Sequence, residues 1–301
     1  MTGMALHTNW ADSLHELIAR ASTDLPGDIE AALHDARRQE EPGSNARRAL
    51  DMMLENVDLA RRKRQPLCQD TGALLFWVQA PAAVSQRTFR ECAEAAIADA
   101  TRQGLLRQNS VDSVTGENSG TNLGPGAPVI HWQEEDRETV QVSLVLKGGG
   151  CENVGAQYAL PDARLRAGRD LDGVRRCMLH ATQRAQGRGC APGVLGVCIG
   201  GDRATGYAES KRQFLRPLGQ RSPVPALAEL EEQVLMQANS LGIGPMGFGG
   251  ETTLLDVHIG SLNRVPASYF VSISYMCWSY RRHTIEADVQ GKTITATWSA
   301  L

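Results

Sequence analysis

No apolar run in these 301 residues approaches the length needed to cross a bilayer, and the opening MTGMALHTNWADSLHEL lacks the basic-then-apolar order of a signal peptide. A cytoplasmic protein with no membrane association is expected. A basic excess is missing too. The formal net charge is -3, which argues against a general nucleic-acid binder. The densest cationic run, Arg61-Arg62-Lys63-Arg64, reads as a solvated helix end, where cations suit the helix dipole, ahead of a phosphate-binding patch. There is no GxxxxGK[ST], which removes a P-loop nucleotide site. There is no CxxC pair, which leaves zinc ribbons and ferredoxin-type runs unsupported. The seven cysteines (68, 92, 151, 177, 190, 198 and 277) are odd in number and widely spaced, so a disulfide framework fits poorly. Aromatics are sparse at 5%, whereas glycine is abundant at 30 residues, so glycine loops carry the distinctive backbone.

What is present alternates between two periodicities. Residues 10–21, 26–36 and 44–62 carry apolar positions at helical spacing, with Pro26 at a first turn and Ser44 as a cap. Short apolar runs at 73–79, 140–146, 194–199, 253–259 and 269–275 read as strands, and Gln290-Gly291 as the turn of a closing hairpin. Helical stretches at 85–103, 171–186, 204–215 and 225–240 lie between them. The expected class is α/β, or mixed α+β, with a helical N-terminal part (1–64) packed on a mixed-sheet body (65–301) in one domain.

Ligands in open α/β sheets collect at the carboxyl ends of strands. Here those ends read KGGGCEN (147–153) and CIGGDRATG (198–206), whose glycines let backbone N–H groups approach an anion closely or simply make tight turns. Gly242-x-Gly244-x-x-Gly247 matches GxGxxG, but a helix is expected before it where a dinucleotide site needs a strand. Cys68, Cys190 and Cys277 all sit at element ends, yet spacing alone favours buried thiols over a cluster. A cysteine nucleophile paired with His131, His258 or His283 is a further reading, although no spacing places these beside a cysteine.

Taken together, seven segments resemble one family: class I fumarases and L(+)-tartrate dehydratases, in their N-terminal half or α-subunit. They are PLCQDTG (66–72), LRQNSVDSVTGENSGTNLGPGAP (106–128), KGGGCEN (147–153), GCAPGVLGVCIGGD (189–202), ESKRQFLRPLG (209–219), GIGPMGFGGETTLLDVHI (242–259) and CWSYRRHT (277–284). The resemblance implies a [4Fe–4S] cluster held by Cys68, Cys190 and Cys277. Three thiolates leave one iron open, and an open position lets a metal act as a Lewis acid. It further implies that Gln69 and Asp70 face the substrate, with Asp70 handling a proton or orienting water. Arg107 is the implied carboxylate clamp. The Gly148–Gly150 loop is the candidate source of backbone donors, with Gly149 and Gly150 against the substrate. Arg281 and Arg282 follow the third ligand, where they would compensate cluster charge, although exposed arginines are the commoner outcome there. A helix N-cap or turn role is the competing reading of Asp70.

Two departures from the family pattern stand out. Position 151 is Cys where many members carry Ser, which leans toward tartrate or marks a tolerated swap. Single-chain members continue into a C-terminal domain, whereas this sequence ends at Leu301, so the resemblance implies a separate β-subunit in an α2β2 assembly. The expected activity is reversible hydration of a four-carbon dicarboxylate, fumarate/malate or L-tartrate/oxaloacetate. The alternatives are a mesaconate-type hydratase, a non-catalytic iron–sulfur or regulatory protein, and a glycine-loop anion-binding module.

Overall fold

The computed structural model describes the backbone of residues 2–298 and side chains from Asn9 onward. Among these residues the chain forms eight α-helices and nine strands, intermingled as the mixed α/β class requires. Two compact units emerge. The first comprises Met1–Pro26, Asn56–Gly148 and Ser279–Leu301, and the second Gly27–Glu55 and Gly149–Trp278.

The first unit holds a five-stranded sheet among its described residues, in the order β2-β1-β3-β8-β9. Its members are β1 (Ala73–Ala80), β2 (Val129–Glu134), β3 (Val140–Lys147), β8 (Arg282–Ala287) and β9 (Thr293–Ala296). β2 runs parallel to β1, and the remaining pairs are antiparallel. Alternate residues of β1 (Leu74, Phe76, Val78, Ala80) and β3 (Val140, Val142, Leu144, Leu146) enter one core, as a pleat of period two dictates. Helices α1 (Thr2–Thr23) and α4 (Gln86–Arg102) cover that face through Leu14, Leu17, Ile18, Phe89, Ala93 and Ile97. Ser85 caps α4 by accepting from Thr88 N. The β8–β9 turn at Gly291 has φ 87°, and a Cβ there would lie 2.4 Å from the Trp10 ring, so this turn requires glycine.

The second unit holds a four-stranded sheet among its described residues, β4-β7-β5-β6. It is built from β4 (Ala156–Ala159), β5 (Gly193–Gly200), β6 (Leu254–Leu262) and β7 (Phe270–Met276). β5 and β6 are parallel; β7 is antiparallel to β4 and β5. Around it lie α2 (Gly27–Gln39), α5 (Gly149–Glu152), α6 (Leu171–Ala185), α7 (Arg203–Arg212) and α8 (Pro225–Asn239). α7 presses so closely on β5 that a Cβ at Gly196 would meet Ser210 O at 2.2 Å. Helix α3 (Asn45–Lys63) contains the division between the units, and Ser44 caps it by accepting from Arg47 N at 3.1 Å. At its C-terminal end Arg61 pairs with Asp24, Arg62 with Asp58 and Arg64 with Glu16. The basic run is therefore an ion-paired helix end.

The structure moves Pro26 just outside α2, and it adds β2 and β4, whose short segments are too polar or too mixed to show a period.

Candidate functional site

In the first unit the PLCQDTG segment runs from α3 into β1, and its conformation is set by polar staples. The Leu67 backbone is held on both sides, donating to Ser22 O (2.9 Å) and accepting from Asn56 Nδ2 (2.7 Å). Cys68 and Asp70 are half-buried, and Gln69 is exposed. Thr71 is wholly buried, and its Oγ1 accepts from Arg107 N (3.0 Å) and Asn109 Nδ2 (2.8 Å). Asn122, with φ 62°, accepts from Asn109 N and donates to Arg107 O, both at 2.7 Å. Asparagine tolerates that left-handed backbone better than other side chains. These bonds bring the LRQN segment to the residue after Asp70. The Arg107 guanidinium itself is exposed.

Two glycines bring β3 up to the same loop. A Cβ at Gly72 (φ 81°) would lie 2.5 Å from Lys147 C, and one at Gly148 would lie 3.0 Å from Asp70 Oδ2. Asp70 leads into strand β1, so the N-cap reading of it falls. Arg281 is another correction. It is 1% exposed, and its Nη2 donates to Asp70 O at 2.8 Å. Its Nε and Nη1 find no hydrogen-bond partner among the described residues. Arg282 is buried as well, at 8% exposure. Burial of two consecutive arginines was not legible in a sequence where both read as surface residues.

In the second unit α5 begins at Gly149, and both Gly149 and Gly150 are exposed. α5 packs against β7 and the 3₁₀ turn Gln186–Gly189 that leads to Cys190. Cys190 itself is left-handed, with φ 54° and ψ 60°. The backbone N–H of Trp278 donates to Cys190 O at 3.2 Å, which ties the end of β7, where Cys277 lies, to the Cys190 loop. Tyr275 packs beneath that loop. A Cβ at Gly189 would fall 2.5 Å from its ring, and one at Gly193 2.2 Å from it. Both glycines of the GCAPG motif are thus required by one tyrosine, a residue whose place in an apolar strand gave no sign of this role. Beside α5 lies a cavity of about 270 Å³ lined by Gly150, Asn153, Gly155, Arg184 and Arg188, among others.

The cysteines fall into two groups. Cys68, Cys190 and Cys277 are half-buried; Cys92, Cys151, Cys177 and Cys198 are buried. Burial pushes the Cys177 and Cys198 thiols up to about 12, and raises Cys92 as well, which disfavours the thiolate a metal needs. Among the described residues no group of three or more His, Cys, Asp or Glu is gathered as ligands of a single metal ion.

The histidines find other roles. His258 is wholly buried and pairs through Nε2 with Asp256 Oδ2 (3.1 Å). Asp256 also accepts from Gly219 N (2.6 Å) and Arg221 Nη1 (2.7 Å), while buried Glu231 accepts from Ser222 N, Ile259 N and Arg216. Segments 209–219 and 242–259 are thus bound to each other by buried carboxylates. His131 stacks on Trp77, and His283 Nδ1 lies 3.2 Å from Thr297 Oγ1. Gly242-x-Gly244-x-x-Gly247 follows helix α8, as expected, which excludes a dinucleotide fingerprint.

Comparison with known proteins decides the family. The profile described as Fumarate hydratase (Fumerase) matches residues 11–286. This chain belongs to the fumarate hydratase family. It is 47% identical over 280 residues to a putative class I fumarate hydratase of Geobacillus stearothermophilus, covering 92% of this chain and 54% of that protein. The chain therefore spans about half the length of that relative. A putative L(+)-tartrate dehydratase subunit alpha of Methanocaldococcus jannaschii is 32% identical, over 90% of this chain and 95% of its own length. The L(+)-tartrate dehydratase subunit alpha of Escherichia coli K12 is 31% identical, over 94% and 93%. The relatives are hydro-lyases by name, as the seven motifs implied. Among the described residues no helix is long and apolar enough to cross a membrane.

Proposed function

We propose that this chain is the α-type part of a hydro-lyase that reversibly hydrates a four-carbon dicarboxylate, with Cys68, Cys190 and Cys277 as ligands of a [4Fe–4S] cluster. The observation that carries the reading is the division of the cysteines: the three motif thiols are half-buried at loop positions, while the other four are sealed in packed interiors. The surroundings fit such a group. The buried Arg281 guanidinium beside Asp70 has two donors without protein partners, and the Tyr275 hydroxyl under the Cys190 loop has none either, among the described residues. Polar atoms buried this way are stable when a bound group satisfies them.

A cluster with an open iron supplies a Lewis acid when bound. The remaining work falls to the chain. Asp70, with Oδ2 turned toward Gly148, holds or orients the proton exchanged with the substrate. Gln69 offers an amide donor and acceptor next to it. Arg107 grips a substrate carboxylate through its guanidinium fork. Gly149 and Gly150 let the backbone approach an anion without a side chain in the way. A separate β-subunit completes the site, a reading supported by near end-to-end alignment with two α-subunits.

Fumarate and malate are the favoured pair, because the 47% identity is to a putative class I fumarate hydratase. L-Tartrate is the second reading, supported by Cys151 and by the α-subunit relatives. The deciding experiment is anaerobic reconstitution with iron and sulfide, with and without a β-subunit, followed by assays on fumarate, malate and L-tartrate. Activity in the two-subunit mixture supports the reading and names the substrate. A chain that takes up no iron under any of these conditions would instead be a glycine-loop anion-binding module.

A further inference from the structure

Tyr275 lies near the end of β7, paired across the sheet with Leu195 of β5, and is 2% exposed. Its ring is flush with the backbone on either side of Cys190. A Cβ on Gly193 would come within 2.2 Å of Cζ and 2.3 Å of Oη, so the hydroxyl itself abuts the loop. Among the described residues this Oη has no hydrogen-bond partner. A buried hydroxyl left without one is destabilising, and tyrosine hydroxyls normally find a partner when buried. Phenylalanine would fill the same space without that cost, so packing alone does not account for tyrosine here.

Cys277 is two residues along the chain and Cys190 sits on the loop that the ring supports, its carbonyl bonded to Trp278 N. A neutral thiol is a weak acceptor, whereas an iron-bound thiolate is a good one.

We propose that Tyr275 is a positioning and tuning residue: its O–H donates to a ligand thiolate of the Cys190–Cys277 pair once these carry iron, and so sets the cluster's reduction potential and its lifetime in air. The inference rests on the cluster reading above. A hydrogen bond to a cluster sulfur withdraws electron density and favours the reduced state. Its loss therefore lowers the potential and speeds oxidative breakdown.

Tyr275→Phe keeps the ring against Gly189 and Gly193 and removes only Oη. Wild type and Y275F are reconstituted anaerobically, and iron content, midpoint potential and the rate of bleaching in air are measured for each. The expected result is equal iron, a lower midpoint potential and bleaching several-fold faster in Y275F. Equal iron with an unchanged midpoint and unchanged bleaching overturns the proposal. Should Y275F not load, the iron–thiolate stretching bands of the wild-type holoprotein decide, compared in H₂O and D₂O: an isotope shift supports the donor, and no shift overturns it. A wild type that takes up no iron refutes the cluster reading itself, a separate failure.

Discussion

The Cys68 loop and the Cys190 loop present a half-buried thiol by opposite physical means. The first is polar throughout: Thr71 Oγ1, Asn122 and Asn56 bind its backbone and that of the LRQN segment. The second is held by shape, with Tyr275 filling the space that two missing side chains leave at Gly189 and Gly193. A polar staple fails gradually, because water replaces a lost partner near the surface. A packed aromatic fails abruptly, because a buried ring has nowhere to go. The two loops should therefore answer mutation differently.

The largest effect concerns the thiols. Cys68→Ser, Cys190→Ser and Cys277→Ser are each expected to abolish iron uptake, while Cys92→Ser and Cys177→Ser keep it, measured as iron per chain after anaerobic reconstitution. Equal iron in all five variants would sink the ligand assignment. Next comes Gly193→Ala, whose Cβ would enter the Tyr275 ring at 2.2 Å. Overpacking of this kind costs about 3 kcal/mol. Gly27→Ala, with nothing within 4 Å of its Cβ, is the matched control. Denaturant midpoints report both, and a Gly193 variant as stable as the Gly27 variant would show that Tyr275 does not brace the loop.

That contrast also marks what the chain reveals before folding. The β1 and β3 runs, the cap at Ser44 and the β8–β9 turn were all readable, because period, cap chemistry and turn glycine are local properties. The motif glycines were visible, but their reasons were not. Gly189 and Gly193 are explained by a residue more than 80 positions away, and Gly72 by the carbonyl of Lys147. Arg281 shows the limit from the other side. An arginine in a polar stretch reads as exposed, and only the fold reveals that it is buried against the Asp70 carbonyl. Long-range packing of this kind leaves no period in the sequence.

The two loops should also differ toward acid, because the second unit carries buried carboxylates near its motif segments while the Cys68 staple is neutral. Burial disfavours the Asp256 anion, but His258, the Gly219 N–H and Arg221 outweigh it and hold the carboxyl down at about 2. A folded pKa below the unfolded value contributes stability that is present above pH ~4 and is lost as pH falls toward about 2. The shift corresponds to about 2 kcal/mol. In denaturant titrations of the iron-free chain, the stability gap between wild type and Asp256→Asn should shrink across that window. A gap independent of pH would mean that the Asp256 charge contributes nothing.

The smallest effect on stability should come from Thr71→Val, and it tests the polar staple directly. Valine keeps the volume and removes the acceptor of Arg107 N and Asn109 Nδ2. Asn109 is exposed and can turn to water, so the loss in stability is expected to be about 1 kcal/mol. The consequence for the site is larger than that figure suggests. Arg107 keeps its charge but loses the bond that places its backbone next to Asp70, so the clamp proposed for it would be misplaced without being removed. In the two-subunit assay KM for the dicarboxylate should rise several-fold while iron content stays unchanged, and Thr71→Ser, which retains the hydroxyl, should restore it. A KM that is the same in the Val and Ser variants would mean that Arg107 finds its position without the staple, and that the two loops are less different than their bonding implies.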